Sequence, residues 1–259
     1  HLLSRRQRQM CIRDRRCTIA AVSTGRHVVR IHDITDKAES LCLAGMFVDT
    51  GLARQCLAVT SSHFCSAERQ FRFPLEYGGV RPPTAQWTVT GAGALILAAA
   101  GNGPRVTMAT TGTIVDAGIT DTNNMGAAMA PAAYETLRAH FADTGRTPDD
   151  YDLIVTGDLG KIGHAVVTRL FADDGVELAG RYNDCGLMIY DLEAQDVHAG
   201  GSGCGCSAGV LCGHILNRMD RGELKNILFM ATGALMSTTS SQQGESIPGI
   251  AHLVHVGRG

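Results

Sequence analysis

Short apolar stretches alternate with segments of helical spacing along this chain, and the alternation constrains its fold more than any other feature. Stretches suited to buried strands lie at 56–62, 88–98, 105–115, 152–156, 186–190, 226–232 and 250–256. Helical patterns lie between them at 38–51, 124–144, 157–171 and 207–222, and the third begins as a glycine loop. Strands separated by helices indicate a layered α/β fold with a substantial share of parallel sheet.

The charge of the chain is divided unevenly. Residues 1–16 carry six arginines and one acid, and without them the 23 basic and 25 acidic residues fall to 17 and 24. We interpret the opening HLLSRRQRQMCIRDR as a translated sequencing adapter rather than a basic arm, so the fold prediction excludes it. The acidic remainder indicates no nucleic-acid partner, because phosphate contacts need clustered lysine and arginine. No uncharged apolar run approaches the length that spans a membrane.

The nine cysteines are scattered without regular spacing, mostly in apolar or glycine-rich sequence, which favours reduced thiols over a disulfide framework. The densest group is GGSGCGCSAGVLCGHIL, at 200–216, with Cys204, Cys206 and Cys212. In a helix that starts near Ser207, Cys212 and the histidine two residues later point about 200° apart and cannot share an ion. We therefore expect no metal site here. Small residues instead allow a helix N-terminus to approach a neighbouring element or a ligand.

The segment GDLGKIG follows the apolar strand at 152–156 and places glycines at 157, 160 and 163. Its backbone N–H groups can cradle an anion at the start of a helix, or the glycines can simply serve the turn. Asp158 and Lys161 would lie at the carboxyl end of a strand, where α/β sheets bind ligands. Both interpretations remain open from sequence alone.

Two further segments carry candidate binding residues. SSHFCSAERQFRFPLEYGG, at 61–79, contains His63 and Arg69 and is either a surface loop of paired charges or an anion clamp. RYNDCGLMIY contains Asp184 and Cys185 just before a predicted strand. This second segment reads either as an Asx turn beside a buried cysteine or as a reactive thiol that needs a base nearby.

Longer strings resemble known families. TVTGAGALIL is similar to the strand that ends the first half of thiolase-fold enzymes such as ketoacyl synthase III, and YDLIVTGDLG to the strand that ends at their catalytic histidine. GGSGCGCSAGVLCGHILNRMDRGELKNILFMATGA resembles their asparagine-bearing loop, helix and strand. TSSHFCSAERQFRFPLEYGG, GITDTNNMGAAMAPAA, GRTPDDYDLIVTGDLG, YNDCGLMIYD, AGGSGCGCSA and QQGESIPGIAH resemble more narrowly the stage V sporulation protein AD family, from about Glu39 to Val256.

The resemblance implies a thiolase-like α/β/α/β/α sandwich of two pseudo-symmetric halves, of which the first is incomplete. It divides the chain into 1–37, a non-native or unreliable segment, 38–100, the remainder of the N-terminal half, and 101–259, the C-terminal half. Thiolase-fold proteins are commonly dimers, so a homodimer is expected.

The resemblance also implies a function without catalysis: binding dipicolinic acid and helping to move it, as the calcium chelate, into the developing spore. The implied location is either soluble or peripherally associated with the spore inner membrane, with other stage V sporulation membrane proteins as partners. No transmembrane segment, signal peptide or cofactor is expected. We expect the ligand-binding residues among eight positions: His63, Arg69, Asp158, Lys161, Asp184, Ser202, Cys204 and Cys206. With the calcium chelate, Asp158 or Asp184 would face the cation, because calcium prefers oxygen ligands.

Departures from the enzymes support this expectation. IHDITDK stands where their nucleophile elbow carries a cysteine, and it contains none. Gly157 and Asp158 stand at the position of the histidine, and Ser202 or its neighbours at that of the asparagine. The alternative is an acyl-transfer enzyme of the thiolase and ketoacyl synthase class, which needs an intact nucleophile and a positioned acid or base.

Overall fold

A computed structural model describes residues 9–11, 17–20, 37–64, 80–178, 180–236 and 238–258 of the 259-residue chain. Its strands are β1 Gln9–Cys11, β2 Cys17–Ala20, β3 Gln55–Ser62, β4 Trp87–Thr88, β5 Gly91–Ala98, β6 Arg105–Thr111, β7 Leu153–Thr156, β8 Tyr182–Asp184, β9 Gly201–Ser202, β10 Asn226–Ala234 and β11 Gly249–Gly257. Its helices are α1 Lys37–Asp49, α2 Met125–Thr144, α3 Gly160–Asp173, α4 Cys185–Met188, α5 Cys204–Val210, α6 Leu216–Asp220 and α7 Thr238–Gln242. A 3₁₀ turn covers Pro148–Asp150, and a π-helical turn, Leu211–Ile215, joins α5 to α6.

Nine of these strands form one sheet in the order β3-β5-β2-β6-β11-β10-β7-β8, with β1 alongside β6. Parallel pairing joins β10 to β7 and β7 to β8, and the other pairs of this sheet are antiparallel. β4 and β9 form a separate parallel pair. The sequence predicted a substantial share of parallel strand pairs. The structure has fewer, because parallel pairing in the large sheet is confined to β10, β7 and β8 at one side.

Helices cover this sheet in layers. The helices α2 and α3 pack on one face of β10, where Leu228 and Met230 join their cluster, while Phe229 points to the opposite face. On that opposite side, the central helices are α1 and α5. Both pack against β3 and β5, and α1 also packs against β10 and β11, so it lies between two parts of the same sheet. The order is outer helices, strands, central helices and strands, as expected for a thiolase-like sandwich.

The fifth layer of such a sandwich is absent from the described residues. Leu57 and Val59 on the outer side of β3 are 44% and 54% exposed, whereas Ala58 between them is buried against the central helices. This one-sided burial matches a strand that packs against the described helices on its inner face only. Within the described ranges, no helix combines the length and apolar character needed to cross a bilayer.

Most predicted elements are confirmed, with shifts at their ends. The predicted strand at 186–190 is wrong, because Asp184 caps a helical turn at Cys185–Met188 by accepting a hydrogen bond from the Gly186 amide. The predicted strand at 88–98 is broken at 89–90, where the chain passes from β4 to β5. The helix predicted from Ser207 begins at Cys204 and contains the π-helical turn.

Close backbone contact places α3 against α2. A Cβ atom on Gly126 would lie 2.3 Å from the Leu159 carbonyl oxygen, and one on Gly163 would lie 2.7 Å from the Gly126 carbonyl oxygen. Any side chain at either glycine would force the two helices apart. The glycines of GDLGKIG therefore serve helix packing as well as the turn.

Two buried histidines lie between α2 and the sheet. The ring nitrogens of His140 pair with the Thr110 hydroxyl and the Tyr151 hydroxyl, each at 2.8 Å. His255, on β11, contacts the Thr107 hydroxyl through Nδ1. Burial lowers the pKa of both imidazoles to about 4, and for His140 the neighbouring His255 adds to the effect.

These histidines predict acid sensitivity. Their folded-state pKa lies below the ordinary value, so the stability they contribute is complete above about pH 6.5 and is lost as the pH falls towards 4. We expect urea unfolding of His140→Gln to lose about 1.4 kcal/mol less per pH unit in this window than the parent chain. Both proteins contain the same carboxylates, so the difference between their pH dependences of unfolding free energy reports the titration of the His140 imidazole. Exposed His214→Gln is the control, and parallel curves for His140→Gln and the parent would contradict the prediction.

Candidate functional site

The candidate site lies where β7, β8 and β10 end, at one edge of the sheet. These strands run parallel, so the residues that follow them come together. Asp158 follows β7, Asp184 ends β8, and Thr232 lies near the end of β10. The glycine loop 200–203 lies next to these residues, and its Ser202 hydroxyl donates a hydrogen bond to Asp158.

Asp158 joins the glycine loop to β10. Its Oδ2 atom accepts hydrogen bonds from the Ser202 hydroxyl at 3.1 Å and the Gly203 amide at 2.8 Å. Its Oδ1 atom accepts one from the Thr232 hydroxyl at 2.9 Å. The residue is 7% exposed. A carboxylate has about four acceptor positions, so these three bonds leave one available.

Asp184 organises the loop after β7 from inside. Its Oδ2 atom accepts from the Thr156 hydroxyl at 2.6 Å and the Leu159 amide at 2.9 Å. Its Oδ1 atom accepts from the Gly160 and Gly186 amides, both at 2.9 Å. Asp184 is fully buried. We therefore assign it the support of this loop rather than contact with a ligand or cation.

The environment of Asp184 alters its acidity. Complete burial, reinforced by the nearby Asp158 carboxylate, raises the pKa of Asp184 to about 6, although its hydrogen-bond donors oppose the shift. The Tyr182 hydroxyl lies 3.2 Å from Thr156 Oγ1. Since Thr156 gives its single proton to Asp184, Tyr182 is the donor in this contact. Burial also raises the pKa of Tyr182, so its hydroxyl keeps that proton.

The segment 85–89 holds the glycine loop from the other side. Trp87 and Thr88 pair with Gly201 and Ser202 as β4 and β9. The Gln86 amide nitrogen donates to the carbonyl oxygens of Asp158 at 2.7 Å and Gly201 at 2.9 Å. The loop is thus fixed on both sides, by backbone pairing and by Asp158.

The start of α5 meets the end of β3. The Gly205 amide donates to the Ser62 hydroxyl at 2.8 Å, and that hydroxyl donates to the Val89 carbonyl oxygen at 2.7 Å. A Cβ atom on Gly205 would lie 2.5 Å from the Gly91 carbonyl oxygen. The small residues therefore do let the helix N-terminus approach a neighbouring element.

The amides predicted to cradle an anion already have protein acceptors. Those of Leu159 and Gly160 bind Asp184, and that of Lys161 binds the Ala199 carbonyl oxygen at 2.8 Å. In the second loop, the Gly203 amide binds Asp158. Ligand donors must therefore come mainly from side chains, which corrects the expectation of a backbone cradle.

The predicted binding residues fall into separate places. Ser202 joins Asp158 at the centre, and Cys204 is half-buried beside them at the start of α5. Lys161 is exposed in the first turn of α3, and His63 is exposed just after β3. Cys206 is completely buried in α5, and Arg69 lies outside the described residues.

Sequence reasoning missed Ser62, Gln86 and Thr232. Each contacts the loops through a hydrogen bond with a residue more than 70 positions away. Thr232 carried a usable signal, because it follows an apolar strand at the same sheet edge as Asp158. Nothing local marks Gln86. Among the described residues, no three His, Cys, Asp or Glu side chains are grouped as metal ligands would be.

Comparison with known proteins places this geometry in context. A model of the stage V sporulation protein AD family matches residues 33–257. Over 216 residues, 83% of the chain, the sequence is 50% identical to stage V sporulation protein AD of Bacillus subtilis (strain 168), and it spans 64% of that relative's length.

Solved structures support the fold. Cerulenin-bound OleA of Xanthomonas campestris, obtained by co-crystallisation, has a TM-score of 0.50 at 14% identity over 85% of this chain and 60% of its own. The same protein soaked with cerulenin has a TM-score of 0.50 at 15% identity, over 85% and 61%. These neighbours are thiolase-like, which confirms the predicted fold class.

Proposed function

The chain belongs to the stage V sporulation protein AD family, and from this premise we propose that it is a non-catalytic protein that binds dipicolinic acid, free or as the calcium chelate. In this proposal it takes part in uptake of the ligand into the developing spore, together with membrane proteins of the same sporulation stage. A homodimer at the spore inner membrane is part of the same expectation.

The observation that carries the absence of catalysis is the environment of Asp158. At the position where the enzymes need an imidazole, this chain has a buried carboxylate that accepts three hydrogen bonds. A carboxyl group whose oxygens accept three hydrogen bonds does not replace the N–H donor that an imidazole offers to a thioester carbonyl. The family match begins at residue 33, and from there to Cys42, where the nucleophile elbow would end, the sequence has no cysteine. These two differences support a function without Claisen chemistry, which requires both groups.

Binding of a small dicarboxylate fits the same edge of the sheet. Lys161 is exposed in the first turn of α3, where its ammonium can pair with a ligand carboxylate. Asp158 keeps one acceptor position, which suits the cation of the chelate. The fixed glycine loop between them gives a site that is formed before the ligand arrives.

Calorimetry tests the proposal. We expect saturable binding of dipicolinate, measured with and without equimolar calcium, and an affinity about fivefold weaker in Lys161→Ala. Lys225→Ala is the matched control, because that lysine is equally a surface residue but precedes β10, at the opposite end of the strand. An unchanged affinity in Lys161→Ala would remove this residue from the site.

Absence of dipicolinate binding would overturn the proposed function itself. The acyl-transfer alternative is tested in parallel by incubation with acyl-coenzyme A and mass spectrometry of the intact chain. Our expectation is an unmodified mass. A thioester on Cys204 or Cys185 would establish acyl transfer instead.

A further inference from the structure

Next to the glycine loop, three planar groups lie against one another. The Phe64 and Trp87 rings are stacked with centroids 4.6 Å apart and planes 21° apart. The Arg81 guanidinium carbon lies 4.4 Å from the centre of the Trp87 ring. Trp87 pairs with Gly201, two residues before the amide that binds Asp158. The stack therefore borders the candidate site.

Of the two terminal nitrogens of the Arg81 guanidinium, only Nη2 has a hydrogen-bond acceptor among the described residues. Its Nη2 atom donates to the Asp196 carbonyl oxygen at 2.8 Å and to the Asp196 carboxylate at 2.9 Å. Asp196 is held in turn by His198, whose Nε2 lies 2.9 Å from the other carboxylate oxygen. The Nη1 atom of Arg81 is buried, and no acceptor bonds to it within the described part of the chain.

A buried guanidinium nitrogen without an acceptor is costly, and the cost is recovered when an acceptor arrives. A carboxylate is the acceptor that matches guanidinium best. Phe64 and the Arg81 guanidinium both lie over the Trp87 ring, so the edge of this stack is the apolar surface offered to a flat ring attached to that carboxylate. The side chain as a whole is 15% exposed but Nη1 itself is buried, so a ligand carboxylate binds Nη1 only when the group that covers this atom moves aside.

From this geometry we infer that Arg81 and Trp87 form the subsite that holds one carboxylate and the ring of a planar aromatic acid. The inference rests on the proposed function and specifies which residues grip its ligand. Arg81 binds the carboxylate through Nη1, while Asp196 keeps the guanidinium in place through Nη2. Trp87 is the single tryptophan of the chain, so its fluorescence reports on this subsite alone.

The test combines calorimetry with Trp87 fluorescence, excited at the red edge of indole absorption to limit absorption by the ligand. In the parent chain, dipicolinate should change Trp87 emission with the same midpoint as the calorimetric titration. Pyridine-2-carboxylate should also change it, whereas the non-planar cyclohexane-1,3-dicarboxylate should have little effect. In Arg81→Gln, dipicolinate affinity should fall about 10- to 100-fold.

Two variants keep the test decisive. Arg138→Gln is the matched control, since Arg138 also lies over an aromatic ring, that of Tyr134, but is 57% exposed and far along α2. Its affinity for dipicolinate should equal that of the parent. Arg81→Lys keeps the charge but loses the planar fork, so it should bind with intermediate affinity, and it serves if Arg81→Gln fails to fold.

The possible results separate the two proposals. Calorimetric binding without a change in Trp87 emission, or with equal affinity in Arg81→Gln, overturns the subsite and leaves the proposed function standing. No calorimetric binding in the parent chain overturns both. If the role of Arg81 is only structural, Arg81→Gln lowers Tm but dipicolinate leaves Trp87 emission unchanged, and this result also overturns the subsite.

Discussion

Replacing Asp184 with alanine is expected to remove most of the stability of the folded chain. The change leaves one hydroxyl and three amides without their acceptor, all in the interior. Each buried donor without a partner costs about 1–3 kcal/mol, so the loss reaches about 4 kcal/mol even at the lower limit. This is comparable with the entire stability of many domains. Urea unfolding followed by circular dichroism gives the value directly.

Two variants define the meaning of that result. Asp184→Asn keeps one oxygen acceptor but directs an NH₂ group at two donors, so its loss should lie between those of the parent and the alanine variant. Asp116→Ala is the matched control, because Asp116 also accepts from a hydroxyl and an amide, those of Ser246 and Gly118, but at the surface. It should change stability by about 0.5 kcal/mol or less. A loss below 1 kcal/mol in Asp184→Ala would refute the supporting role.

Replacing Asp158 with alanine is expected to lower ligand affinity more than any other change at the site. Without this carboxylate, the Ser202 hydroxyl and the Gly203 amide lose their acceptor, and the loop separates from Thr232. We expect dipicolinate affinity to fall more than tenfold, together with a loss of about 2–4 kcal/mol in folding free energy. Calorimetry at a temperature well below the variant's Tm separates the two effects.

Two further variants serve as controls for Asp158→Ala. Asp121→Ala removes an exposed carboxylate that accepts a hydrogen bond from the Asn123 amide, and this variant should bind dipicolinate like the parent. Asp158→Asn keeps an acceptor for the loop without the negative charge. If it binds the free acid normally but no longer distinguishes the calcium chelate, the charge of Asp158 acts on the cation. A folded Asp158→Ala protein with parental affinity would locate the binding site elsewhere.

Sequence reasoning located the loops of this site but not their internal bonds. GDLGKIG and the glycine run at 200–216 were identified because each follows or precedes a clear periodic element. The sequence pattern predicted that the amides of these loops could bind an anion. In the structure, Asp184 and Asp158 accept hydrogen bonds from those amides instead. Local sequence cannot reveal such occupancy, because the acceptors come from other strands.

The same limit explains the misassigned strand at 186–190. The apolar run GLMIY has strand-like composition, yet Asp184 accepts from the Gly186 amide and starts a helical turn. An N-cap of this kind favours a helical turn over a strand in the residues that follow it, and amino-acid composition alone does not decide which of the two forms. The confirmed elements, such as α2 and β10, are long and periodic, so one residue cannot reverse their assignment.

The carboxylate of Asp184 also has a consequence for the unliganded protein. It accepts hydrogen bonds from the Leu159 and Gly160 amides, which would otherwise be free to bind an anion from solution. The turn between β7 and α3 is therefore already set before any guest enters, and amide hydrogen exchange at Leu159 and Gly160 should be equally slow with and without dipicolinate. Ligand binding then costs little conformational entropy in this turn, and the side chains around the turn determine which ligand is bound.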